Sequence, residues 1–185
     1  MSSSTPVNND SRVIYLGSDI DHETATQVCF NIAVFNSKDD NEDKKLKDYE
    51  RKPIRLFINT KGGDVYAMWA MVDIIEHSKT PVYTYCSGCA MSAGFIVYLA
   101  GHKRFASEHV NFMYHQIWMT RSGKYQDIVE DRDQTDYLQD ELEKYVLSRT
   151  NISEERISEI RDKKVDTFIH FDEAVELGIV TEKWE

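Results

Sequence analysis

The sequence predicts an α/β fold built on a largely parallel sheet, and two observations carry that expectation. Short apolar or β-branched runs at residues 12–17 (R-V-I-Y-L-G), 53–59 (P-I-R-L-F-I-N) and 81–86 (P-V-Y-T-Y-C) each read as a strand. Each is followed by a stretch whose apolar residues recur at the spacing of one helical face or form a buried run. Repeated strand–helix units imply right-handed crossovers and parallel pairing, with ligand chemistry outside the carboxyl ends of the strands. At 185 residues, the chain reads as a single domain, 1–185, large enough for one hydrophobic core.

Taken in order, residues 1–11 are polar and expected to be mobile. After the first strand, Asp19 or Asp21 caps a helix whose Ala25, Val28, Cys29, Ile32 and Ala33 share a face. Residues 36–52 form a mixed charge run, expected as a solvated loop, or a helix end followed by one, without chemistry. The second strand ends in Thr60-Lys61-Gly62-Gly63-Asp64, ahead of a helix marked by Val65, Met68, Val72 and Ile75. A Gly-Gly corner lets backbone approach a ligand closely, or is a plain tight turn. The spacing of a phosphate loop is absent.

The third strand leads into Y-C-S-G-C-A-M-S-A-G-F-I-V-Y-L-A-G, residues 85–101. It reads as strand, tight turn of very small residues, then buried helix. Ser92 at that helix start is either a nucleophile, with adjacent amides to hold an oxyanion, or a helix N-cap. Short strands follow at 104–106 and 110–114. His115, alone among the six histidines, directly follows an apolar strand, as a firmly held general base would. A hydrogen-bonded core histidine is the plainer alternative.

Residues 122–150 read as one long charged helix with an interrupted apolar stripe, of the kind that projects or packs on a partner chain. Ser153 opens another helix, and 165–169 is a brief extended piece. Asp166 enters that apolar segment as a carboxylate needing a partner, or is a turn residue. Residues 172–178 close as a helix with Gly178 just past its end, and 179–180 make the last strand.

Composition excludes several classes. A net charge of −10 repels nucleic-acid phosphates. The longest apolar run, 95–100, is too short to span a bilayer, and no secretion signal opens the chain, so a cytoplasmic protein with no membrane partner is expected. Cys29, Cys86 and Cys89 make no disulfide framework. Cys86-Ser-Gly-Cys89 lacks both redox surroundings and a second pair for zinc, so these cysteines read as small buried hydrophobes.

Three separated motifs then agree in order and approximate spacing. G-C-A-M-S-A-G around Ser92, M-Y-H-Q around His115 and D-T-F-I-H-F-D-E-A-V-E-L-G-I-V from Asp166 resemble the proteolytic subunit of the Clp protease (ClpP) family. Upstream, I-N-T-K-G-G-D resembles the family's N-S-P-G-G, and the likeness covers residues 12–180. The resemblance implies a ClpP/crotonase-like fold of repeated ββα units, with 122–150 as a projecting handle helix. It implies Ser92 as nucleophile, His115 as general base, and Asp166 as the carboxylate that orients His115. Amides of Gly62 and Ala93 would form the oxyanion hole, and Gly63 would pair with an extended substrate.

The implied activity is that of a serine endopeptidase acting on unfolded polypeptides or peptides. The implied assembly is a homo-oligomer of heptameric rings stacked into a tetradecamer and fed by an AAA+ Clp ATPase. The subunit would need no metal or cofactor, ATP being used by that partner. Four features differ from the family pattern. Only polar residues precede the first strand, where pore loops are usual, and Arg55 and Phe57 occupy positions of alternating ATPase-docking aromatics. The run 36–52 is longer, and Ala93 stands where methionine is common. A regulatory or structural ring subunit beside an active paralogue, and a crotonase-type acyl-CoA enzyme, are the other readings; a complete Ser-His-Asp set disfavours both.

Overall fold

The structure, a computed structural model, describes residues 12–184, so the expectation for residues 1–11 lies outside the described residues. The elements run β1 (Val13–Leu16), α1 (His22–Asp43), β2 (Ile54–Thr60), α2 (Val65–Glu76), β3 (Val82–Met91), α3 (Ala93–Leu99) and β4 (Lys103–Ala106). There follow β5 (Asn111–Tyr114), α4 (Tyr125–Arg149), α5 (Glu154–Lys163), β6 (Thr167–His170), α6 (Phe171–Glu176) and β7 (Glu182–Lys183). The sheet runs β1-β2-β3-β4-β7, and every pairing is parallel except β5 with β6. The α/β fold with a parallel-dominated sheet is therefore as the sequence predicts.

Period-two alternation explains the two faces. Ile14, Leu16, Leu56, Ile58, Val82 and Cys86 are buried in the helix-covered core. The intervening Tyr15, Phe57, Tyr85 and Phe105 stack in series across the other face, with centroids 5.2, 4.9 and 4.5 Å apart. Trp184 packs edge-on against Phe57 and Tyr85. Phe57 thus joins an aromatic band that the sequence pattern, with Arg55 beside it, hid.

Capping residues do what their chemistry suggests. Asp21, not Asp19, is the N-cap of α1: its carboxylate accepts from the Thr24 amide at 2.7 Å, and the Thr24 hydroxyl accepts from the Asp21 amide. Asp64 caps α2 and Ser153 caps α5, through the amides of Ala67 and Arg156.

Three expectations are corrected. The small residues after Cys86 are strand, not turn: β3 continues to Met91, paired with β4 over Tyr83–Cys86 and with β5 over Cys89–Met91. Small side chains let the strand change neighbours, and Gly88 takes a positive φ of 86° where a Cβ would meet the Asn59 side chain.

Of the two expectations for the charge run, a helix end followed by a loop holds, since α1 continues through Asp43; within that helical part Asp39 is 1 % exposed. Its carboxylate accepts from Arg12 (2.6 and 2.9 Å), Thr80 (2.5 Å) and Tyr49 (2.8 Å). The last strand lies at Glu182–Lys183 rather than 179–180, because the amides of Ile179 and Val180 both donate to Ala174 and are not free for the ladder. Finally, β6 starts at Thr167, since Lys164 ends α5 in the left-handed conformation (φ 54°) and Val165 and Asp166 lead out of that turn.

Candidate active site

Ser92 sits between β3 and α3 with φ 53° and ψ −124°, a conformation L-residues rarely adopt. The surroundings hold it there. Its amide donates to the Met113 carbonyl at 2.8 Å, and its own carbonyl accepts from Phe95 at 3.0 Å. The seven residues of α3 behind it are all buried. This strained strand-to-helix corner pushes the hydroxyl outward, and the Ser92 side chain makes no capping bond. Ser92 thus occupies the N-cap position, but its hydroxyl satisfies none of the helix's orphan amides.

His115 leaves the end of β5, which pairs with the last three residues of β3, so Ser92 and His115 are brought together by sheet register. Ser92 Oγ and His115 Nε2 are 2.7 Å apart. With the ring proton on Nδ1, the hydroxyl donates to Nε2, the geometry of an activated nucleophile.

Asp166 Oδ1 lies 3.7 Å from His115 Nδ1, an ion-pair distance beyond hydrogen-bond reach. The Asp166 side chain is 60 % exposed, so it faces His115 without the desolvation that an apolar segment could have imposed. The register of β6 against β5 brings it near, since Thr167 pairs with Tyr114.

The Gly62-Gly63 corner faces the same crevice, as the parallel-sheet argument predicts. A Cβ on Gly62 (φ 108°) would lie 2.8 Å from the Ser92 Cβ and 3.0 Å from the Ala93 amide nitrogen. Gly62 itself, however, spends its amide on Thr60 Oγ1 at 3.1 Å. Gly63 bridges Ile20 in parallel, the bonds being made by the Gly62 carbonyl and the Asp64 amide. Gly63's own amide and carbonyl therefore point the other way, where it lines the cavity beside Ser92. As first residue of α3, Ala93 has an amide with no intrahelical acceptor.

A cavity of about 490 Å³ opens beside the hydroxyl. Its apolar wall comes from Met68, Ile96, Met113, Ile117, Leu138 and Leu142; the rim carries Lys61, Asp64 and the Arg121–Asp131 pair at 3.4 Å. Sequence reading assigned Met68, Leu138 and Leu142 to helix stripes, and nothing in the pattern separates a cavity wall from a core face. Among the described residues, no three His, Cys, Asp or Glu side chains are grouped to hold a metal ion, and no helix is long and apolar enough to cross a membrane.

A parallel α/β sheet with a serine on a strained corner, in contact with a strand-end histidine, defines a hydrolase-type scaffold. The sequence matches the Clp protease family over residues 5–183, and the chain belongs to that family. It is 31 % identical to ATP-dependent Clp protease proteolytic subunit 1 of Corynebacterium jeikeium (97 % of this chain, 95 % of the relative). It is 32 % identical to the subunit 1 of Synechococcus sp. strain CC9902 (91 % and 81 %), and 30 % identical to the subunit 2 of Parasynechococcus marenigrum (91 % and 81 %). Membership makes it a serine-type peptidase subunit of a ring protease.

Proposed function

We propose that this chain hydrolyses peptide bonds through Ser92, with His115 as proton carrier and Asp166 as the carboxylate that orients it. The 2.7 Å contact between Ser92 Oγ and His115 Nε2 carries the proposal. Oγ attacks the scissile carbonyl carbon as its proton passes to Nε2. The tetrahedral oxyanion is held by the Ala93 amide and, since Gly62 is engaged by Thr60, by the amide of Gly63. His115 returns the proton to the leaving amine, and water then cleaves the acyl-enzyme by the same route. Asp166 closes on Nδ1 as the imidazolium forms. It does not itself take up the proton.

The Gly63 carbonyl and the residues after it receive the substrate as an added strand, and the apolar cavity takes one side chain. These steps use side chains, backbone amides and water alone, leaving ATP to a partner. Subunits assemble as heptameric rings stacked through α4 into a tetradecamer in the cytoplasm, with an AAA+ Clp ATPase docking on the aromatic band around Phe57.

A fluorophosphonate probe is expected to label Ser92 in the assembled particle, and Ser92→Ala is expected to abolish both labelling and peptide cleavage. An assembled wild type that stays unlabelled would instead identify a regulatory ring subunit.

A further inference from the structure

Helix α4 carries a glutamine, Gln139, at one of its buried positions; it is 7 % exposed, beside the cavity-lining Leu138. A buried carboxamide has to satisfy both of its ends. Its Oε1 accepts the Ile117 backbone N–H at 2.9 Å, and its Nε2 donates to Glu143 Oε1 at 2.9 Å, one turn further along α4. Glu143 is itself mostly buried, and Arg161 Nη1 donates to its two oxygens at 3.0 and 3.3 Å.

The two ends of this chain of bonds are the informative part. Ile117 lies two residues past His115, in a stretch (115–124) that forms neither helix nor strand. Arg161 lies in the last turn of α5, which ends at the left-handed Lys164, two residues before Asp166. Tyr114, immediately before His115, has its buried phenol under the influence of the same group; burial and then the Glu143 charge push its pKa up. Gln139 and Glu143 thus join the backbone that leaves His115 to the helix that delivers Asp166. The 3.7 Å gap between those two side chains is about 0.8 Å longer than an ordinary N–H···O bond.

We propose that Gln139 and Glu143 are positioning residues which, with Arg161, set the separation of His115 and Asp166 and so the aim of the imidazole at Ser92. The proposal rests on the Ser92–His115 reading above.

The test is steady-state peptide cleavage by the assembled full-length protein, with particle mass measured alongside. Gln139→Leu, which keeps the shape and removes both bonds, is expected to lower kcat about 10- to 100-fold, the scale of a misplaced reacting group. KM is expected to change less than kcat, because Gln139 does not itself line the cavity, although its partner Ile117 does. Gln139→Glu places two carboxylates against each other and is expected to lose kcat similarly.

The double variant Gln139→Glu/Glu143→Gln exchanges the polarity. The carboxylate at 139 accepts from Ile117 and from the new amide at 143, whose oxygen accepts from Arg161. Recovery of kcat to within about threefold of wild type is expected, since the bond pattern is re-formed. This exchange also decides the matter if Gln139→Leu fails to assemble. A double variant that stays impaired overturns the proposal, as does Gln139→Leu with wild-type kcat or with a change in KM alone. Cleavage surviving Ser92→Ala in the same assay would overturn the nucleophile assignment instead, a distinct outcome.

Discussion

At the scale of single residues, the chain places two carboxylates against intuition. Asp166, which leads into an apolar strand, is mostly exposed, whereas Asp39, in the charge run, is fully buried. Burial raises the Asp39 pKa, but bonds from Arg12, Thr80 and Tyr49 outweigh it and hold the carboxyl below its usual range. A depressed native pKa stabilises the fold above the unfolded-state value near ~3.9, and the gain is lost as pH falls through the native value. Acid unfolding of the wild type is therefore expected to gain a component below about pH 4. Asp39→Asn is expected to remove that component. At neutral pH it is expected to cost about 3–5 kcal/mol by leaving the Arg12 guanidinium without its ion-pair partner, measurable as a lower denaturation midpoint.

At the scale of elements, helix ends are tied together by two arginines whose hydrogen bonds run to carbonyls. Arg104 is 7 % exposed and donates to the carbonyls of Ile179, Gly178 and Arg149 at 2.8, 2.7 and 3.2 Å. Arg149 donates to Leu99 and Gly101 at 3.0 and 3.1 Å. These bonds satisfy carbonyls at the ends of α3 and α4 and in the turn after α6. Burial lowers the Arg104 pKa, yet the group stays cationic. Arg104→Met is expected to destabilise the fold by about 3 kcal/mol, because several buried acceptors lose their donor; chemical denaturation would read it.

Legibility also varied by element. β1, β2 and the cap at Ser153 could be read, and the cap of α1 narrowed to Asp19 or Asp21, because period and capping chemistry are local. The change of partner along β3 could not, since small residues signal a turn and a bending strand alike. Ser92 and His115 were legible as a pair through motif order. Gln139 had a weak signal, a glutamine beside Leu138 and near Leu142 in the helix stripe, and only the Ile117 bond shows its place.

At the scale of the whole molecule, α4 is long, rich in charge and buried only along its second half, at Leu138, Gln139, Leu142 and Val146. Its first half presents Tyr125 and Ile128 to solvent. An apolar surface of that kind marks an interaction site. On the proposed stacking of rings through α4, shortening α4 within its first half is expected to give single rings in sedimentation velocity, while each subunit keeps its core. An unchanged particle would refute the assignment of α4 to ring stacking.

The corner that exposes the Ser92 hydroxyl leaves one more mark on the protein. Holding a non-glycine residue at φ 53° costs on the order of 1–3 kcal/mol. Glycine adopts such angles freely, although it adds about 0.5–1 kcal/mol of disorder to the unfolded chain. The lost bond to His115 offsets about 0.5–1.5 kcal/mol more, so Ser92→Gly is expected to melt no lower than Ser92→Ala, which keeps the strain and loses the same bond, while hydrolysing nothing. Strain at this one corner serves turnover rather than heat tolerance, and of two inert versions of the protein the one freed of it holds out at least as well.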